Sequence, residues 1–157
     1  MHTTQGDLLR RIACEDIQQP TPITNILLNR ECQLAVFYGW EYLVTYTTSG
    51  QQLNTPAHKS AERMLCGTLS RDGEYLFVGT ENGRISIIRL FPLQLLYTFP
   101  QTDSPTRSIA ISTNQRLVFG GLESGAIVVF NFNLNRWQHE RERTSRDVQR
   151  SERSHLT

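Results

Sequence analysis

Leu76-Phe77-Val78-Gly79-Thr80-Glu81-Asn82-Gly83-Arg84-Ile85-Ser86-Ile87 returns 42 residues later as Val118-Phe119-Gly120-Gly121-Leu122-Glu123-Ser124-Gly125-Ala126-Ile127-Val128-Val129. Phe77, Gly79, Glu81 and Gly83 recur as Phe119, Gly121, Glu123 and Gly125, and Leu76, Ile85 and Ile87 face Val118, Ile127 and Val129. The match runs back through Leu69 with Ile111, Ser70 with Ser112 and Asp72 with Asn114, and forward to Leu95 with Trp137. A weaker copy lies upstream, where Leu27, Leu34, Leu43 and Leu53 keep the same phase and Gly39-Trp40-Glu41 replaces the glycine turn. A fixed period of this length is the mark of a repeat architecture, in which one supersecondary unit is stacked on the next.

Within each unit apolar residues alternate with period two and are rich in β-branched and aromatic types, as in Tyr42-Leu43-Val44-Thr45-Tyr46, which is the pattern of half-buried strands. Turn residues punctuate them: Thr48-Ser49-Gly50, Ser70-Arg71-Asp72-Gly73, Thr80-Glu81-Asn82-Gly83 and Glu123-Ser124-Gly125 suit tight hairpins. Each unit reads as a four-stranded antiparallel meander. The clearest has strands near Met64 to Leu69, Tyr75 to Gly79, Arg84 to Leu90 and Leu95 to Phe99. The last has strands near Arg107 to Ile111, Arg116 to Gly120, Ala126 to Phe132 and Asn135 to His139. No capped segment of helical period stands out, so almost no helix is expected.

The rest of the composition narrows the function. Of 157 residues, 38% are hydrophobic and 20% charged, with a net charge of +1. Such a balance gives no field to hold a nucleic-acid backbone or an anionic bilayer, and no apolar run approaches the ~20 residues of a membrane span. Neither nucleic acid nor direct membrane insertion is expected. Cys14, Cys32 and Cys66 are odd in number and far apart, which fits a reduced compartment, and they read as small buried apolar residues. No metalloprotease, hydrolase, phosphate-loop or dinucleotide motif occurs. His2, His58, His139 and His155 have no ligand-spaced partners. The expectation is no catalytic, cofactor or metal residue, and no enzyme.

A repeat of four strands and ~40 to 45 residues resembles the blade of a WD40-type β-propeller. The expected fold is therefore all-β, a partial propeller of about three four-stranded antiparallel blades. Residues 1–13 read as an outer strand of a preceding blade, 14–58 as a degenerate blade, 59–101 as a blade, 102–139 as the last blade and 140–157 as a disordered charged tail. The usual Trp-Asp after the third strand is replaced by Ile88-Arg89 and Phe130-Asn131, so packing must carry more of each blade's stability. Because propellers close with ~4 to 8 blades, three blades imply a fragment of a larger ring.

The stretch Gly121-Leu122-Glu123-Ser124-Gly125-Ala126-Ile127-Val128-Val129-Phe130-Asn131-Phe132-Asn133-Leu134-Asn135-Arg136-Trp137 resembles the final blade of the neurobeachin group of BEACH-domain proteins. Leu95-Leu96-Tyr97-Thr98-Phe99-Pro100 and Arg107-Ser108-Ile109-Ala110-Ile111 are similar to it as well, and the resemblance covers about residues 6 to 140. It implies a large cytoplasmic scaffold, peripheral on endomembranes, with a BEACH domain and the remaining blades upstream. That scaffold would act in vesicle trafficking and membrane-protein sorting through protein partners. Protein kinase association would run only through a distant segment of the parent. The alternative is a free-standing, self-associating propeller fragment or adaptor unrelated to BEACH proteins.

A propeller presents the loops of one face as a docking rim. Here the expected protein-binding rim comprises Trp40, His58, Lys59, Arg63, Glu81, Asn82, Arg84, Asp103, Arg107 and Glu123. Trp40, at a turn tip, is the sharpest of these, since large aromatics are favoured interface anchors. Trp137 holds the register of Leu95 and belongs to the core or outer strand of the last blade. In the tail, Arg141-Glu142-Arg143-Thr144-Ser145 and Arg150-Ser151 resemble basic-directed phosphorylation sites.

Overall fold

The computed structural model describes residues 6–155. Three antiparallel sheets follow one another along the chain. The first holds β1 (Ile23–Leu28), β2 (Gln33–Tyr38), β3 (Tyr42–Thr47) and β4 (His58–Lys59). The second holds β5 (Met64–Leu69), β6 (Tyr75–Thr80), β7 (Ile85–Leu90) and β8 (Leu93–Thr98). The third holds β9 (Thr106–Ile111), β10 (Leu117–Leu122) and β11 (Ile127–Asn131), and a helix, α1 (Leu134–Ser154), follows it.

The 42-residue period is realised in hydrogen bonds. Between β5 and β6, Ser70 Oγ donates to Asp72 Oδ1 at 2.6 Å and accepts from Tyr75 N, while Gly73 N donates to Ser70 O. Between β9 and β10, Ser112 Oγ donates to Asn114 Oδ1 at 2.6 Å and accepts from Leu117 N, while Gln115 N donates to Ser112 O. Gln115 takes positive φ in the place of Gly73. Short polar side chains bonding their own backbone specify this turn.

The sheets stack face to face, so alternation along a strand decides which neighbour each side chain meets. In β6, Leu76 and Val78 pack toward the first sheet in a cluster with Phe37, Leu43 and Ile88, whereas Tyr75 and Phe77 pack toward the third with Val118 and Phe99. Every residue of β6 is consequently buried. Gly79 is required there, because a Cβ would lie 2.7 Å from the Thr106 side chain and 2.6 Å from Cys66 Sγ. The third sheet is covered on one face only: Ile127 and Val129 are 72% and 54% exposed.

The structure corrects several expectations. Gly6 to Ile12 form no strand; Ile12, Cys14 and Ile17 instead drape over Val36, Tyr38, Val44 and Tyr46 on the outer face of the first sheet. Asp16 fastens that segment by accepting from Gln52 Nε2 and Ala57 N. Residues 1–5 of the expected strand lie outside the described residues. The fourth strand of the first sheet is His58–Lys59, paired with Leu43 and Tyr42, so the expected boundary between 14–58 and 59–101 cuts through it. Leu53 sits in a bend because Asn54 Oδ1 captures Thr45 N and pulls the loop back.

The last sheet has no fourth strand among the described residues. Asn133 Oδ1 accepts from Arg136 N at 3.1 Å and starts a helix across Asn135 to His139, and Arg136 pairs with Glu140 one turn on at 3.0 Å. Helix-forming Arg, Glu and Gln with such a cap favour this over a strand. The same run makes residues 140–154 of the expected disordered tail helical, while residues 156 and 157 lie outside the described residues. The cysteines also differ from expectation: Cys14 and Cys66 are half-buried, but Cys32 is exposed at a turn with positive φ.

Candidate interaction surface

The hairpin turns between the second and third strands of the sheets gather at one end of the stack. Each is tied to the segment leading into the first strand of its own sheet: Gly39 N donates to Pro22 O, Glu81 N to Arg63 O at 3.0 Å and Glu123 N to Pro105 O at 2.9 Å. These bonds draw residues of all three sheets around a cavity of about 420 Å³, lined by Trp40, Arg63, Leu65, Glu81, Asn82, Pro105, Arg107 and Glu123.

Trp40 enters it from an unusual backbone. Gly39 and Trp40 both have positive φ, 58° and 67°, the geometry of a type I′ hairpin turn, where Asn or Gly is the ordinary choice. A bulky residue held there costs of order 1 to 3 kcal/mol, and such strain gathers at functional positions. Met64 N donates to Trp40 O at 2.8 Å and fixes the turn against β5. Also on the cavity wall, Arg107 Nη2 meets Glu123 Oε1 at 2.8 Å with both side chains about half exposed. An exposed pair of this kind holds only ~0 to 1 kcal/mol, so either charge can be turned to a partner.

Six of the ten expected rim residues therefore converge: Trp40, Arg63, Glu81, Asn82, Arg107 and Glu123. His58, Lys59 and Arg84 do not; they line a separate groove of about 580 Å³ between the first and second sheets, together with Met64, Ile88 and Leu95. Glu62 there pairs with Arg84 and accepts from Thr80 Oγ1 at 2.7 Å. Burial holds the His58 imidazole below its usual range. Asp103 is exposed and lines neither cavity. Leu65 and Pro105 join the rim unexpectedly, although the 42-residue register points to them: Leu65 holds the position of Arg107, and Pro105 that of Arg63.

Among the described residues no group of three or more His, Cys, Asp and Glu could hold a metal ion, and no helix is long and apolar enough to cross a membrane. The sheets, their order and their shared rim define a set of WD40 repeats arranged as part of a β-propeller. The WD40 repeats of RRP9 superpose with a TM-score of 0.63 at 20% identity, covering 73% of this chain and 37% of that one. U3-55K superposes with a TM-score of 0.62 at 20% identity, with the same coverage. No family model matches. In sequence, the chain is 43% identical over 140 residues to a putative neurobeachin homolog of Caenorhabditis briggsae and 41% identical to one of Caenorhabditis elegans, in each case over 89% of this chain. Over most of its length the chain is therefore similar to neurobeachin homologs, and it spans 5% of the length of each of those relatives.

Proposed function

We propose that this chain is a non-catalytic protein-interaction module that receives a partner at the rim cavity. The observation that carries the reading is the convergence of residues from three sheets on one cavity, with Trp40 held at positive φ beside charges of both signs. Aromatic and arginine side chains in a partly enclosed site are the usual anchors of a protein interface. The cavity offers no nucleophile with an adjacent base, so recognition rather than chemistry suits it. Kinship with neurobeachin homologs supports a larger scaffold in vesicle trafficking and membrane-protein sorting, cytoplasmic and peripheral on endomembranes, with a BEACH domain in the same parent.

The test is quantitative affinity purification of the full-length parent carrying Trp40→Ala or Arg107→Glu. Loss of the same partners from both variants, with Val148→Ala unchanged, supports the rim. Full retention by both variants refutes it. A second reading, self-association of a fragment, is favoured by the bare face of Ile127 and Val129. Sedimentation of this chain distinguishes it: a dimer abolished by Val129→Asp supports that reading, and a monomer removes it.

A further inference from the structure

Where α1 leaves the last sheet it lies along the second. Trp137 meets Tyr75 edge-on with ring centroids 5.8 Å apart, Arg141 stacks over the Trp137 ring at 4.9 Å, and Gln138 Nε2 approaches Glu74 Oε2 at 3.4 Å. Between helix and sheet is a cleft of about 330 Å³, walled by Arg89 and Glu74 on one side and by Arg141, Glu142, Ser145 and Arg146 on the other. Its three guanidinium groups exceed its two carboxylates. Arg89 Nε is buried without a hydrogen-bond partner among the described residues, and Glu74 Oε1, at 3.8 Å, is too far to accept from it.

Ser145 is exposed. It stands one helical turn after Arg141 and so shares its face, with Arg143 two residues before it and Arg146 directly after. A phosphate carries about −1.5 to −2 charges and three strong acceptor oxygens, which planar guanidinium groups bind in pairs. We infer that Ser145 is a phosphorylation site whose phosphate docks in this cleft on Arg89 of the second sheet and Arg141 and Arg146 of the helix, locking α1 to the sheet. The donor is ATP, through an arginine-directed serine kinase. The Ser145 Oγ–P bond forms as the bond from the γ-phosphorus to ADP breaks, and the hydroxyl proton passes to the kinase's base.

The inference is tested on the full chain with phosphoserine incorporated at position 145, compared with the unmodified chain and with phosphoserine at position 151, which does not line the cleft. Amide exchange over residues 138–150 is expected to slow about tenfold for the first alone, and the second phosphate pKa, followed by phosphorus NMR, to fall below its ordinary ~6. Arg146→Gln, a change at an exposed residue, should restore the exchange rate; Arg89→Gln should do the same where that variant folds. Equal protection by phosphoserine at 151, or an unshifted phosphate pKa insensitive to Arg146→Gln, overturns the proposal. Millimolar inorganic phosphate protecting the unmodified chain equally well also overturns it, by assigning the cleft to a free anion.

Discussion

Replacing Trp40 with Asn separates the two reasons a tryptophan can occupy a turn. If it is there for packing, its removal resembles any loss of a buried aromatic and costs about 3 to 5 kcal/mol. The structure argues otherwise: its φ is +67°, a conformation that costs an ordinary residue roughly 1 to 2 kcal/mol and Asn less. Trp40 is partly exposed at the rim, so replacing its ring forfeits only part of the ~1.5 to 3 kcal/mol that full burial of a large side chain is worth, about 1 to 2 kcal/mol in the other direction. The two terms nearly cancel, so the balance for Trp40→Asn lies within about 1 kcal/mol of zero, a change in Tm of no more than about 4 °C for a chain of this size. Urea denaturation followed by far-UV circular dichroism measures it, since Trp137 fluorescence would report on the helix instead. Destabilisation beyond about 2 kcal/mol would refute the reasoning and return Trp40 to the core.

Other substitutions probe the frame. Leu76→Ala, at a fully buried position between the first and second sheets, should cost about 2 to 5 kcal/mol in the same urea assay. Asn133→Ala removes the helix cap and should cost about 0.5 to 2 kcal/mol, seen as faster amide exchange confined to the first turns of α1. Because burial lowers the His58 pKa, folding disfavours its protonation. Its stability contribution is present above the unfolded value of about 6.5 and is lost as pH falls through the folded value. His58→Gln should therefore flatten the loss of stability below about pH 6.5 in denaturation curves taken across that range. Burial pushes the Cys66 thiol up to about 11, so at pH 8 Cys66 should react with a thiol reagent far more slowly than exposed Cys32.

The sheets are legible in the sequence because two copies of one pattern fix each other's phase. β5 spans the residues the alternation indicates, and β6 and β7 differ by one residue at an end. Register alone places Trp137 in the core or outer strand of the last blade, which indicates burial against a sheet but not the backbone conformation: Trp137 reaches Tyr75 of the second sheet from a helix, not a strand. A segment almost without apolar residues reads as disordered by composition, yet a cap and an i,i+4 ion pair are local features that composition does not count. His58 and Lys59 escape placement for a different reason: the register puts the outer strand of the first copy at Leu53, and the hydrogen bond from Thr45 N to Asn54 Oδ1 that moves the pairing on to His58 and Lys59 leaves no trace in a period. At the rim, five residues are visible as loop positions and Arg107 as the start of a strand, while Leu65, also a strand residue, is visible only by carrying Arg107 back one period.

The paired turns after β5 and β9 have an evolutionary consequence. Glycine at the positive-φ position stands exchanged for Gln115, and Asp72 for Asn114, yet the serine hydroxyl and its acceptor survive at the same 2.6 Å. What duplication has preserved is a wiring diagram rather than a spelling. Ancient copies of such a blade are best sought by aligning which side chain bonds which amide, since that grammar outlasts the letters that express it.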